Sequence, residues 1–141
     1  MMDKEQHITL PNDVATVPRL AEFIDQVCEA AGIDMATTMQ INLAVEEAVV
    51  NVMNYAYPPG TTGTVEVSAD TSDDKLTLVI EDNGTPFDPT AKDDADTTLE
   101  AEERPIGGLG IHLVRQLMDS ISYKRSDDGR NILTIAKKWK V

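Results

Sequence analysis

The chain contains a single cysteine, Cys28, among 141 residues, so it cannot form an internal disulfide. Cys28 sits in a helical pattern and is expected to be a small buried apolar residue. The sequence also lacks any run of 18 apolar residues and has no signal-like amino terminus. A soluble cytoplasmic protein is therefore the expectation. No internal repeat or linker is visible, and the length predicts one domain with one core.

Basic residues are also scarce. The chain has 12 Lys and Arg against 25 Asp and Glu, which gives a net charge of −13. Such a charge disfavours non-specific binding to nucleic acid or to anionic membrane surfaces. An anionic ligand could not be captured by bulk charge, so backbone amides or a metal ion would have to hold it.

The periodicity of apolar residues predicts an α+β fold, with one largely antiparallel sheet and helices covering one of its faces. Gly32 and Asp34 mark the end of one helix and the start of the next. The predicted elements are a strand at 6–10, a helix from Asn12 or Asp13 to Ala31, a helix from Asp34 to the stop at 58–60, a hairpin at 64–70 and 76–80, an acidic loop at 91–104, a helix opened by 105–110, and a hairpin at 121–124 and 131–138.

The second predicted helix carries the most unusual pattern, LAVEEAVVNVMNYAY, over 43–57. At about 100° per residue, Glu47, Asn51 and Asn54 share one narrow stripe. Most other positions are apolar, which is typical of a buried helix. A carboxylate and two carboxamides there need partners or a solvent-filled cleft. The alternative is that the stripe is the solvated face of an ordinary amphipathic helix.

Two further stretches carry chemistry. Gly107-Gly108-Leu109-Gly110 directly precedes a predicted helix, where free N–H groups bind phosphate. The stretch is neither a Walker A loop nor a Rossmann fingerprint, and a glycine-rich hinge is the alternative. Asp82-Asn83-Gly84 ends a predicted strand. The carboxylate could accept a hydrogen bond from a base amine, and Gly84 would let the chain pass close to a flat ring. The alternative for this stretch is a simple turn.

Three motifs follow one another along the chain: E-x-x-x-N-x-x-N on a helix, D-N-G-x-P-F-D-P after a strand and G-G-L-G before a later helix. In this order they resemble the N, G1 and G2 boxes of the GHKL ATPases. The compact length and the Glu four residues before the Asn are most similar to the anti-sigma-factor serine/threonine kinases. The resemblance covers nearly the whole chain. It implies the two-layer Bergerat fold of that superfamily, a single domain over 1–141 and an ATP lid at about 91–106.

The resemblance also implies roles for individual residues. Asn51 matches the asparagine that ligates Mg²⁺, and Glu47 matches the general base that acts on the attacking hydroxyl. Asp82 matches the adenine-reading aspartate, with Gly84 beside the ring. Asn54 stands where relatives often have histidine, which leaves its role open. The nucleotide-binding set implied in this way is Asn51, Asn54, Asp82, Gly84, Gly107, Gly108, Leu109 and Gly110.

The sequence also bears on several other charged or titratable residues. Glu46 is also acidic but points about 100° away from Glu47, so Glu47 is the predicted base. Arg104 either reaches a γ-phosphate or pairs with its acidic neighbours. Arg19 either engages a protein partner or is a solvated surface residue. His7 and His112 have no metal-like spacing and are interpreted as structural.

The resemblance implies ATP and Mg²⁺ as cofactors. It implies a small STAS-type anti-sigma-factor antagonist as substrate and a sigma factor as second partner, and it leaves a homodimer open. The net charge predicts no direct contact with nucleic acid or membrane. An ATP-gated binding module without phosphotransfer activity is the main alternative. The catalytic domain of a histidine kinase is a third reading, which the missing dimerisation helix and the Glu base disfavour.

Overall fold

A computed structural model describes residues 5–58, 60–91 and 108–139. Short 3₁₀ turns at Val14–Thr16, Ser72–Asp74 and Pro89–Ala91 supplement the main elements. Those elements, in chain order, are β1 (Glu5–Pro11), α1 (Val17–Ala31), α2 (Met35–Tyr55), β2 (Thr64–Asp70), β3 (Lys75–Asp82), α3 (Gly108–Leu117), β4 (Ser120–Arg125) and β5 (Asn131–Lys138).

The strands form one sheet in the order β1-β2-β3-β5-β4, and each pairing between them is antiparallel. Alternate residues of β2 and β3 are buried in a single core together with residues of all three helices. This alternation confirms the predicted α+β sandwich. The predicted acidic loop lies outside the described residues beyond Ala91, so a lid over 91–106 stays a prediction.

The helix boundaries follow from local chemistry. Gly32 takes the left-handed conformation, with φ of 79°, and closes α1, while the Asp34 side chain accepts a hydrogen bond from the Thr37 N–H and caps α2. The first helix begins later than the pattern predicted. Pro18 has no N–H, so regular α-helical bonding cannot include it beyond the first turn. The chain therefore makes a 3₁₀ turn capped by Asp13 and enters α1 at Val17.

Helix α2 is buried on most sides, as its composition predicted. Its buried residues are Ile41, Ala44, Val45, Ala48, Val49, Asn51, Val52 and Met53. Cys28 on α1 is fully buried, as expected, and this burial raises the pKa of its thiol. Among the described residues, no helix is long and apolar enough to cross a bilayer.

Tyr57 ties the end of α2 to the sheet. Its hydroxyl lies 2.6 Å from the carbonyl oxygen of Thr64 and 2.8 Å from Oδ1 of Asn83, and the Asn83 N–H donates to it at 3.2 Å. Its ring fills the space beside Gly63, where a Cβ would lie 2.3 Å from the Tyr57 ring. The hydroxyl thereby fixes the segment that follows β3 relative to α2.

We expect Tyr57→Phe to lower the free energy of unfolding by about 1–3 kcal/mol, because the Thr64 carbonyl and the Asn83 N–H lose a partner. Urea denaturation followed by circular dichroism measures the change. An unchanged midpoint would show that water replaces the hydroxyl at no cost.

Candidate functional site

The polar residues of α2 are graded in burial. Asn51 is only 4% exposed, Glu47 is half-buried and Asn54 is exposed. The sequence placed all three on one stripe, but the surroundings of the helix differ along its length. Asn54 thus faces solvent, while Asn51, one turn before it, lies in the interior.

Asn51 is the only polar residue that α2 buries within the part of the chain that is described. Buried carboxamides are normally satisfied, because leaving one unpaired costs free energy. An oxygen of this kind, beside a half-buried carboxylate one turn away, suits a hard cation that keeps several of its waters. No cluster of three or more His, Cys, Asp or Glu able to hold a metal occurs among the described residues. A metal there would depend on oxygens of its own ligand as well.

Asp82, the last residue of β3, is 1% exposed. Its Oδ1 accepts hydrogen bonds from the Gly84 N–H at 2.9 Å and from Nδ2 of Asn131 at 2.8 Å. Both contacts use the same oxygen, so within the described chain Oδ2 remains available to a ligand donor. A carboxylate held in this way can recognise an exocyclic amine.

Asn131, at the start of β5, is a site residue that the sequence reasoning missed. It is 3% exposed and lies directly opposite Asp82 in the sheet. Its Nδ2 also donates to the Thr85 carbonyl at 2.8 Å, and its Oδ1 accepts from the Tyr123 hydroxyl and from Arg125 Nη1. The only sequence signal was a polar residue at an inward-facing position of an otherwise apolar strand.

The charge on Asp82 is set by opposing effects. Burial raises the pKa of its carboxyl group, and the hydrogen bonds from Asn131 and Gly84 together with the nearby Arg125 and Arg130 act in the opposite direction. Burial is the largest of these influences, so the pKa lies above the ordinary value for an aspartate. Asn131 therefore helps to keep Asp82 ionised in an environment that favours the neutral acid.

Gly84 is required by its approach to helix α2. A Cβ on Gly84 would lie 2.2 Å from the carbonyl oxygen of Ala56, which follows the helix. The same carbonyl accepts the Thr85 N–H at 2.7 Å. The sequence had assigned this glycine to the close approach of a flat ring. The structure gives it a packing reason that is sufficient by itself, and the ring contact stays a prediction.

Phe87, in the segment that follows β3, makes another contact with α2. The rings of Phe87 and Tyr55 stack with their centroids 5.6 Å apart and an angle of 22° between their planes. The Phe87 N–H donates to Asn131 Oδ1 at 3.3 Å. The segment after β3 is thus held by both the helix and the sheet.

The glycine-rich stretch opens α3 as predicted. The helix begins at Gly108, so the backbone of Gly108, Leu109 and Gly110 forms its first turn, and Gly107 lies outside the described residues. Helix α3 packs against α2. Its first N–H groups have no partners inside the helix and can bind an anion.

The remaining candidates do not join this group within the described residues. Arg19 and His7 are exposed, Glu46 is half-buried like Glu47, and Arg104 lies outside the described residues. The structure therefore gathers Asp82, Gly84 and Asn131 at the end of the sheet and fastens them to the end of the helix that carries Glu47 and Asn51.

We expect Asp82→Asn to retain the fold, because an asparagine Oδ1 can accept the same two hydrogen bonds. The raised pKa of Asp82 in the folded protein means that its neutral acid is tolerated in the fold, whereas its ionised form lowers the free energy of unfolding. The stability that the neutral Asp82 side chain contributes is therefore fully present below the ordinary pKa of an aspartate. It is lost as the pH rises through the pKa of Asp82 in the folded protein.

The melting temperature of Asp82→Asn, measured without ligand from pH 4 to 7, should accordingly rise relative to wild type as pH increases. A difference that shrinks as pH increases would contradict the direction of the shift.

Comparison with known proteins identifies the family. The family model for the histidine kinase-like ATPase domain matches residues 10–137. The serine/threonine-protein kinase BtrW of Bordetella bronchiseptica is 30% identical over 95 residues, which is 67% of this chain and 66% of that protein. The serine-protein kinase RsbW of Listeria monocytogenes is 33% identical over 99 residues, which is 67% of this chain and 63% of that protein. The aligned part thus spans just under two thirds of each relative.

Among solved structures, the RsbU and RsbW domains of a Mycobacterium tuberculosis protein superpose with a TM-score of 0.68 at 16% identity. The superposition covers 96% of this chain and 32% of that one. This similarity supports the fold alone. The match of the family model over nearly the whole length shows that the chain belongs to the histidine kinase-like ATPase domain family.

Proposed function

We propose that this domain is a protein serine/threonine kinase that uses Mg-ATP. The observation that carries the proposal lies within one turn of α2, where the half-buried carboxylate of Glu47 adjoins the buried carboxamide of Asn51. That pairing sets a base beside a candidate metal ligand. The names of the aligned relatives, which are serine or serine/threonine kinases, support the same conclusion.

The adenine end of the nucleotide would lie against Asp82. Oδ2 of this residue accepts the exocyclic amine, while Asn131 and the Gly84 N–H hold Oδ1 in place. Asn131 is buried in β5 and the Gly84 N–H belongs to the backbone directly after β3, so the acceptor is oriented before the ligand arrives. Gly84 adds a backbone surface without a side chain.

The phosphates would lie at the start of α3, where the amides of Gly107, Gly108, Leu109 and Gly110 donate to them. Asn51 would hold Mg²⁺ through its side-chain oxygen, with Asn54 at the exposed rim of the same stripe. A Mg²⁺ ion bound there would neutralise part of the negative charge of the phosphates. These local groups are needed because the chain as a whole carries a net charge of −13 and repels anions.

Glu47 would accept the proton of the attacking serine or threonine hydroxyl. Its partial exposure suits this role, because a protein substrate can reach it from outside. Phosphoryl transfer depends mainly on positioning and charge neutralisation, so one oriented base is sufficient.

The finer features of the proposal come from the resemblance. They are a STAS-type anti-sigma-factor antagonist as substrate, a sigma factor as second partner and a cytoplasmic location. A single domain over 1–141 with a lid at 91–106 belongs to the same set.

Nucleotide binding is tested by melting curves. Mg-ADP at a hundredfold excess over Kd should stabilise the wild-type domain by about 2.7 kcal/mol. Asp82→Asn should remove most of this gain, because an amide N–H then faces the exocyclic amine and two donors meet. Asp70→Asn, at the end of β2, is the matched control and should keep the gain. If Mg-ADP does not shift the wild-type curve at millimolar concentration, there is no nucleotide site.

Catalysis is tested with two neighbouring carboxylates. Glu47→Gln keeps the shape of the side chain but loses its basicity, so phosphotransfer should slow by roughly 10²–10⁴-fold with nearly unchanged nucleotide affinity. Glu46→Gln, one residue earlier and similarly half-buried, should transfer phosphate at close to the wild-type rate. The substrates are purified STAS-type proteins encoded by the same genome, incubated with radiolabelled ATP.

Equal rates for the Glu47→Gln and Glu46→Gln proteins would remove Glu47 from the base role. A wild-type domain that binds Mg-ADP and one of these proteins yet transfers no phosphate would instead support a nucleotide-gated binding module.

A further inference from the structure

One ridge of α2 connects an exposed apolar surface to the proposed base. Residues four apart on a helix follow one another along a ridge. From the start of α2 this ridge carries Met35, Met39, Leu43, Glu47 and Asn51. Three apolar side chains therefore precede the carboxylate and the carboxamide of the candidate site in an unbroken row.

Exposure falls steadily along this ridge. Met35 is 80% exposed, Met39 62% and Leu43 49%, whereas Glu47 is half-buried and Asn51 is 4% exposed. Single exposed apolar residues are common on soluble proteins, but consecutive ones on one ridge form a contact surface. We call Met35, Met39 and Leu43 the apolar ridge. Methionine side chains adapt to varied partners, which suits a protein-docking role.

A groove between α1 and α2 runs beside the apolar ridge. Its volume is about 440 Å³, and Ile33 and Thr38 contribute to its walls. Two acidic residues of α1, Asp25 and Glu29, form its outer rim. The groove thus offers an apolar wall and a negatively charged edge.

One residue that lines the groove, Asn42, has a polar atom that lacks a partner within the described residues. Nδ2 of Asn42 donates to Asp25 Oδ1 at 2.8 Å, but Oδ1 of Asn42 is buried and accepts no hydrogen bond within the described residues. A partner side chain entering the groove could supply the missing donor.

We propose that the apolar ridge and its groove are the docking surface for the protein substrate. The proposal rests on the proposed kinase function. A protein that brings a hydroxyl to Glu47 must cover the adjoining turn of α2, and the rise from Glu47 to Leu43 is only about 6 Å. The adjoining turn is the exposed apolar one. The substrate surface that fits it is an apolar patch, with Lys or Arg beside it to face Asp25 and Glu29.

The test compares substitutions on and off the ridge. Met39→Ser combined with Leu43→Ser removes most of its apolar area, and both positions are exposed, so the fold should tolerate the change. Val14→Ser is the matched control, because Val14 is also 49% exposed but lies before α1. The probe is the purified STAS-type protein used in the phosphotransfer assay.

We expect the double variant to raise the KM for this protein by roughly tenfold or more, with kcat and the Kd for Mg-ADP within twofold of wild type. Val14→Ser should change none of these values. Glu29→Lys should also raise the KM, since it opposes the basic residues of the substrate. A KM within twofold of wild type in the double variant would overturn the docking surface, and an unchanged KM in Glu29→Lys would overturn the basic chemistry assigned to the partner.

The docking surface can fail separately from the kinase proposal. If the wild-type domain transfers no phosphate, calorimetric titration of the same STAS-type protein into the Mg-ADP complex replaces the KM. Weakening by the double variant then supports the surface, and equal affinity refutes it. Sedimentation equilibrium tests whether a second copy of this chain occupies the apolar ridge instead. The proposal would be overturned if the wild-type domain were a dimer, the double variant were a monomer and both bound the substrate with the same affinity.

Discussion

The hydrogen bond from Asn131 to Asp82 holds together the polar end of an otherwise apolar sheet. Two inward-facing polar residues on adjacent antiparallel strands would each be costly to bury alone, but opposite each other they satisfy one another. Asn131 also binds the Thr85 carbonyl and the Phe87 N–H, so the chain leaving β3 is fixed to β5. On its other side the same segment is fastened to the carbonyl of Ala56 at the end of α2. The buried pair thus orders the segment that the Ala56 carbonyl then joins to α2.

Much of the fold could be predicted from the sequence because its signals are local. The limits of β2 and β5, the cap at Asp34 and the left-handed Gly32 follow from alternation and helix-end chemistry. The start of α1 was placed too early, because the restriction that Pro18 imposes on the first turn competed with an apparent cap at Asn12 or Asp13. The match of the family model to 10–137 confirms the resemblance that the three motifs indicated.

The site was less predictable, because its geometry depends on contacts between distant parts of the chain. Asn131 is 49 residues from Asp82, and no local pattern shows that the two meet. The requirement for glycine at position 84 likewise arises from the carbonyl of Ala56, which lies 28 positions earlier in the chain. The gradient of exposure along α2 reflects what packs around each turn of the helix, which periodicity alone cannot give. For these reasons Asn54, at the exposed end of the polar stripe, differs from Asn51 although the sequence pattern treats them alike.

The central proposal is that Asn51 holds the metal of a bound nucleotide. Replacing Mg²⁺ by Mn²⁺ tests it directly, since the paramagnetic ion broadens the NMR signals of nearby nuclei with a steep dependence on distance. Gln40 lies on the same helix about 16 Å along its axis from Asn51 and is exposed, so its side-chain amide is an internal reference. Upon titration of substoichiometric Mn²⁺ into the ADP-saturated domain, the Asn51 side-chain amide signal should disappear well before that of Gln40. Simultaneous broadening of both signals, or a sharp Asn51 signal while others vanish, would contradict the claim.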